Sequence, residues 1–384
     1  MPQNVRGLDI QTGTPLCVSV DRVILSVSAD SAASNVYIAP GLIDLQVNGF
    51  AGVDYNSPTA PHGEIARSID ALVSTGVTRF YPTVITGAFA DMSRAMTNLA
   101  RAKDTLRLGE VIEGLHIEGP HISPEDGPRG AHPRRWVRAP SPDEFRRWQD
   151  AARGNIRLAT LAPEWPGSTA YIEALVAAGV TVAIGHTSAT SAQIADAVSA
   201  GATMSTHLGN AAHALLPRHP NYLWDQLADD RLAASFIVDG VHLPDAFVRA
   251  AIRAKGVARS ILVTDASAPA CSSPGRYRLG EQEVDLTDDG RVVLAGQDRL
   301  AGSALRLDEA IGNVMRTAGL PLSAAAAMAT LNPARVGRIS GRQQGLVAGD
   351  RADLVCFGFD AASCRIRVEE TWVSGACVFR RGTT

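Results

Sequence analysis

What most constrains this 384-residue chain is an alternation. Short apolar runs return along its middle with amphipathic stretches between them. The runs fall at 37–47, 79–84, 113–117, 157–161, 181–184, 203–206, 234–238 and 261–263. The intervening stretches, among them 64–75, 142–152, 170–178, 191–200 and 244–255, carry apolar residues at helical period. Several close on glycine (Gly76, Gly179, Gly201, Gly256), a common helix stop. Eight strand-then-helix units over roughly 220 residues predict an α/β fold, a (β/α)8 TIM-like barrel. A doubly wound sheet would alternate too, but no Gly-x-Gly-x-x-Gly follows the first run.

The chain ends differ from the middle. Segments 8–27 and 354–379 are β-rich, broken by turn residues and without helical period. They predict a small β-sandwich domain from 1–40 and 341–384, flanking a barrel over 41–340. Within the barrel, 276–300 contains Thr287-Asp-Asp-Gly290 and reads as an inserted β-hairpin. Thirty-nine acids against 36 bases give a formal charge of −3, so neither nucleic acid nor an anionic membrane is an expected partner. Five cysteines without Cys-x-x-Cys spacing, no signal-like start and no long apolar span predict a cytoplasmic protein with reduced thiols.

Barrel enzymes place their chemistry where the strands end. There the chain carries His116 and Glu118 on the third run, His186 after the fifth, His207 after the sixth and Asp265 after the eighth. One carboxylate and two imidazoles form a ligand set that zinc enzymes use with a position open for water, and Asp265 could serve as general base beside it. A single such histidine is more often a hydrogen-bonded core residue; four residues at successive strand ends point to a site. The only lysines, Lys103 in a polar segment and Lys255 late in a helix, lie away from strand ends, which excludes a carboxylated-lysine bridge and a Schiff base. Gln46 and Asn48 stand where many metal hydrolases of this architecture carry His-x-His, and as weak ligands they predict one metal rather than two.

In order along the chain come Pro40-Gly-Leu-Ile-Asp-Leu-Gln-Val-Asn-Gly49, His116-Ile-Glu-Gly-Pro120, Leu161-Ala-Pro-Glu164, Gly185-His-Thr-Ser-Ala189, Thr206-His-Leu208, Asp239-Gly-Val-His242, Val263-Thr-Asp-Ala266 and Ala301-Gly-Ser303. With these eight motifs the chain resembles the N-acetylglucosamine-6-phosphate deacetylases of the amidohydrolase superfamily. The resemblance implies Glu118, His186 and His207 as ligands of one divalent metal per subunit, usually Zn2+, and Asp265 as the acid–base residue. It implies His132 as the group polarising the acyl carbonyl, and Asn210, the Ala211 backbone, Arg218 and His242 as holding the sugar phosphate. A homodimer that builds part of the sugar site across its interface is implied as well.

Departures cluster beside the expected substrate. Gly209 replaces a bulky residue, which would widen the pocket, and His213, His219 and Tyr222-Leu-Trp224 are unusual there. His116 is expected to orient ligands, and Glu164 to support the site or serve structure alone. The function expected is removal of the acetyl group from N-acetylglucosamine 6-phosphate. Two other readings stand beside it: a deacylase of an unphosphorylated or bulkier N-acyl amine, and a catalytically silent sugar-binding protein.

Overall fold

The structure, a computed structural model, describes residues 2–32, 34–342 and 345–382. Positions 1, 33, 343, 344, 383 and 384, which the predicted end domain includes, lie outside the described residues. Eight parallel strands form a nearly closed barrel: Leu42–Val47, Val77–Ile85, Leu115–Glu118, Ile156–Leu161, Thr181–Ile184, Met204–Ser205, Ala233–Phe236 and Ser260–Leu262, each beside its neighbours in sequence order. They read as unbroken apolar runs because helices cover their outer faces; Val77–Ile85 is buried at every position. The helix His62–Val73 shows the complementary pattern, burying Ile65, Ile69, Leu72 and Val73 along one stripe. Among the described residues the backbone bonds that close the barrel between the eighth and first strands lie at their C-terminal ends, where Asp265 N donates to Gln46 O (3.0 Å) and Asn48 N to Ala266 O (2.7 Å).

The structure departs from the sequence reading in three places. The run 37–47 is two strands. Val36–Pro40 joins the end sheet, and the chain turns at Gly41, where a Cβ would lie 2.2 Å from the Thr78 side chain, before Leu42–Val47 enters the barrel. The polar segment around Lys103 is the last turn of a 17-residue helix, Phe89–Thr105, which buries Met92, Ala95, Met96, Leu99 and Ala102 along one stripe. The insertion is a three-stranded antiparallel meander, Gly275–Leu279, Gln282–Leu286 and Val292–Leu294, rather than a hairpin. Its third strand buries Val292, Val293 and Leu294. Both lysines are spent on backbone carbonyls: Lys103 Nζ on Ile112 O and Lys255 Nζ on Asp229 O and Leu232 O.

The chain ends form one seven-stranded sheet in the order Ala376–Arg380, Arg365–Val373, Leu354–Asp360, Val36–Pro40, Gln3–Asp9, Pro15–Val20, Ile24–Ala29. It is antiparallel except where Gln3–Asp9 runs parallel to Val36–Pro40. The sheet curls around its own apolar cluster, in which Val5, Val18, Val20 and Ile24 meet Ile38, Leu354 and Trp372. Among the described residues no helix is long and apolar enough to cross a membrane.

Charge joins this sheet to the barrel. Arg79, buried on the second barrel strand, donates through Nε to Asp353 Oδ2 (2.6 Å) and through Nη1 to Ser340 O (2.6 Å). Arg351 shares the same buried carboxylate at 2.8 Å, and Arg342 lies 3.9 Å from it. Burial pushes the Arg342 guanidinium down to about 10. Removing one partner of a buried pair leaves uncompensated charge. Asp353→Ala is therefore expected to destabilise the fold by about 3–5 kcal/mol, read as a lowered urea midpoint.

Candidate active site

At the C-terminal rim, Glu118, His186 and His207 are brought together, all buried. His186 Nε2 lies 3.2 Å and His207 Nε2 2.9 Å from Glu118 Oε1, and the two Nε2 atoms are 3.1 Å apart. A tetrahedral cation with ligands about 2.0–2.1 Å away separates its ligand atoms by about 3.4 Å, so the three atoms suit one shared ion. The His186 tautomer agrees: Nδ1 is 2.9 Å from Pro128 O, which can only accept, so Nδ1 carries the proton and Nε2 a lone pair. The residue types, spacing and burial therefore fit a divalent metal.

The strands aim these groups by turning sharply as they end. His186 (φ 51°), His207 (φ 28°) and Asp265 (φ 50°) all adopt positive φ, which non-glycine residues rarely do and which concentrates at functional sites. The turns are pinned from behind. Glu164 accepts from Thr187 Oγ1 (2.5 Å) and Ser188 N (2.9 Å), bracing the turn after His186. Ser303, in the Ala301-Gly-Ser303 motif, donates through N to Asp265 O (2.9 Å) and through Oγ to Thr264 O (2.6 Å).

Gln46 and Asn48 act as donors. Gln46 Nε2 bridges Glu118 Oε1 (2.9 Å) and Asp265 Oδ1 (3.0 Å), and Asn48 Nδ2 donates to the same Asp265 oxygen (2.6 Å). Amide hydrogens thus face the place where a second cation would need lone pairs. Burial, then the charge of Glu118, pushes the Asp265 pKa up to about 6. His116 lies a layer deeper, between Thr160 Oγ1 (2.8 Å) and Thr83 Oγ1 (3.4 Å), and burial lowers its pKa to about 4. Among the described residues it forms no hydrogen bond with Glu118, His186 or His207.

His132 is buried above the site with its ring centroid 4.4 Å from that of His186. Burial, then the neighbouring His186, lowers its pKa to about 3, so it is neutral. Its Nδ1 lies 2.7 Å from Thr86 Oγ1, a residue that no motif singled out. With the hydroxyl donating there, Nε2–H is left as a donor. Gly119 makes this possible: a Cβ at that position (φ 77°) would stand 2.2 Å from the Thr86 hydroxyl.

A cavity of about 330 Å3 opens over these groups. Asn210, Ala211 and His242 line one wall, with His242 Nδ1 2.6 Å from Asp239 Oδ2. Arg218 is not brought to the cavity. It lies exposed on a turn that Asn221 closes through its bonds to Pro217 O and Arg218 O, and it forms no ion pair among the described residues. His219 is exposed too, whereas His213 bridges the rim between Glu125 Oε2 and Tyr222 Oη (both 3.0 Å).

The widening expected from Gly209 does not occur. A Cβ there would meet the Phe247 ring at 2.6 Å and Leu243 at 2.8 Å, so side chains from the following helix segment fill the space. The opposite wall comes from residues that sequence reasoning missed: Ile85, Leu279, Gln282, Arg299 and Leu300. Four of them belong to the inserted meander and its exit, and only their nearness to the Ala301-Gly-Ser303 motif could have drawn attention to them.

The model described as Amidohydrolase family matches residues 37–378. The chain is 32% identical over 332 residues to the N-acetylglucosamine-6-phosphate deacetylase of Bacillus subtilis, covering 86% of this chain and 82% of that one. It is 35% identical over 357 residues to the Homo sapiens enzyme of the same name, covering 89% and 83%. Among solved structures it is similar to an aspartate-to-alanine mutant of N-acetyl-D-glucosamine-6-phosphate deacetylase from Mycobacterium smegmatis in complex with N-acetyl-D-glucosamine-6-phosphate, with a TM-score of 0.87, 33% identity and 98% and 99% of the two chains covered. The N-acetylglucosamine-6-phosphate deacetylase of Thermotoga maritima superposes with a TM-score of 0.86 at 26% identity, covering 98% and 100%.

The donor geometry predicts one tightly bound divalent ion per chain. Elemental analysis of purified protein is expected to find about one equivalent, lost in His207→Ala.

Proposed function

The chain belongs to the amidohydrolase family and, within it, to the N-acetylglucosamine-6-phosphate deacetylases, and we propose that it hydrolyses the acetamido bond of N-acetylglucosamine 6-phosphate to acetate and glucosamine 6-phosphate. The observation that carries this reading is the convergence of Glu118, His186 and His207 on one point with the Asp265 carboxylate beside it. A cation bound there, with zinc favoured by two imidazoles and a carboxylate, supplies Lewis acidity toward the acyl oxygen and acidifies a water.

Asp265 is the general base. Its Oδ1 is occupied by Gln46 and Asn48, so Oδ2 is left to take the proton of the attacking water. A carboxyl near 6 both accepts and returns a proton close to neutral pH. As the acyl oxygen gains charge, His132 Nε2–H donates to it, the kind of preorganised contact that favours the transition state over the ground state. Asp265 then delivers its proton to the sugar nitrogen as the C–N bond breaks. The water oxygen leaves in acetate. Asn210, the Ala211 backbone and His242 are proposed to hold the sugar phosphate, a reading supported by their lining the cavity.

Arg218 could take part only from a second copy of the chain. Exposed Leu215 (91%) and Trp224 (59%), three and six residues from it along the chain, support a homodimer whose partner covers this flank. The barrel over 41–340 is proposed to carry catalysis and the two chain ends to form its supporting domain, in a cytoplasmic enzyme of amino-sugar metabolism. A substantially bulkier acyl amine is disfavoured, because Phe247 fills the space left at Gly209.

Asp265→Asn is expected to lower acetate release by about a thousandfold or more while the bound metal stays at wild-type content. His132→Ala should lower kcat by about a hundred- to a thousandfold. Near-normal turnover in either variant would remove the role assigned to that residue.

A further inference from the structure

His213 and Tyr222, two of the departures beside the substrate, take no part in the proposed chemistry, yet they meet at the cavity rim. The wall that carries Asn210 and Ala211 starts at Gly209, which has a φ of 100° and no side chain to anchor it. Ala211 itself holds a φ of 47°, so the wall is strained as well as unanchored. Beyond it the chain leaves for the largely exposed turn 214–221 and returns at buried Tyr222, the first residue of the helix Tyr222–Ala228.

That turn is closed at its neck. His213 N donates to Tyr222 Oη (2.9 Å), and His213 Nδ1 lies 3.0 Å from the same oxygen. Because Oη accepts from the backbone, its own hydrogen is directed to Nδ1. The other ring nitrogen faces Glu125 Oε2 at 3.0 Å, and a carboxylate only accepts, so Nε2 carries the proton. Each donor in this neck therefore has an acceptor. Burial pushes the Tyr222 phenol above its usual range, which keeps it a donor. Glu125 belongs to the loop that brings His132 over the site, and its second oxygen lies 3.1 Å from Ser188 Oγ, two residues past His186. At Gly127 the two loops nearly touch: a Cβ there would stand 3.0 Å from Ala212 O and from the His213 α-carbon.

We propose that Glu125, His213 and Tyr222 form a clasp that fixes the Asn210–Ala211 wall against the His132 loop, and so sets the affinity for the sugar substrate. This rests on the deacetylase reading above. All three are positioning residues, since none of them lines the cavity. Closing the turn at its neck also isolates the wall from the exposed segment that carries Arg218. The Glu125 and His213 side chains are 57% and 27% exposed, so the contact is modest and its loss should shift the wall rather than unfold it.

The test compares the metal-loaded full chain as wild type, Tyr222→Phe, Glu125→Ala, Glu125→Gln and the double variant Tyr222→Phe with Glu125→Ala. Tyr222→Phe and Glu125→Ala are each expected to raise KM for N-acetylglucosamine 6-phosphate about three- to tenfold, with kcat within about twofold and metal content unchanged. Glu125→Gln should stay near wild type, because its amide oxygen still accepts from His213. Both changes act through one histidine, so the double variant should be no worse than the worse single one. An unchanged KM in Tyr222→Phe, losses that multiply in the double variant, or a fall in kcat with loss of metal would each overturn the clasp. Amide hydrogen exchange gives a readout that needs no turnover: residues 123–132 and 209–213 should exchange faster in Tyr222→Phe and Glu125→Ala than in wild type. Faster exchange in a protein whose wild type releases no acetate would discard the deacetylase and keep the clasp. Equal exchange in all forms would discard the clasp and leave the deacetylase standing.

Discussion

One oxygen atom organises this molecule. Oε1 of Glu118, deep in the barrel mouth, is approached within 3.2 Å by nitrogens from three other strand ends: His186, His207 and Gln46. A buried carboxylate is tolerated only when its charge is matched by donors or a cation. Four separate segments must therefore end at the same height, which a closed parallel barrel accomplishes. Closure and chemistry are the same event at the seam, because the backbone bonds that join the eighth strand to the first are made by Asp265, Gln46, Asn48 and Ala266. Loss of register there would misplace the proposed base and the amides that aim it.

The fold holds a strained rim in return. Left-handed backbone at His186, His207 and Asp265 costs of the order of 1–3 kcal/mol per residue and persists only where surroundings over-determine it. Those surroundings are visible. Glu164 secures the turn after His186, Ser303 grips the turn at Asp265, and Asn210 N donates to His207 O at 3.0 Å. Below them His116 and the Thr160–Thr206 hydroxyl pair, 2.6 Å apart, form a polar layer that lets the barrel interior carry hydrogen bonds up to the site. This arrangement makes the rim rigid without requiring the loops above it to be.

The strand-end chemistry was legible because alternation and position coincide: a polar residue closing an apolar run has a place in a barrel before any coordinates exist. Glu118, His186, His207 and Asp265 were readable for that reason. Residues acting through shape were not. Gly41 was hidden inside a continuous apolar run. Thr86 gains meaning only from the bare α-carbon of Gly119 opposite it. Arg299 and Gln282 reach the cavity through the fold-back of a meander, and no periodicity reports a fold-back. Arg218 shows the reverse: suitable chemistry, carried by a turn that leaves it in solvent.

The contact between Gly209 and Phe247 bears on how this wall can evolve. The two positions are 38 residues apart in sequence yet occupy one volume, and Gly209 also holds a φ of 100°. A side chain gained at 209 has nowhere to go unless the aromatic ring is first surrendered, and a ring lost alone leaves a void. Neither single step is favourable, so relatives should change the two together, with bulk traded from loop to helix while the contour facing the sugar is conserved. Specificity on this flank would then drift by compensated pairs, and a library that randomises one partner at a time would find it inert.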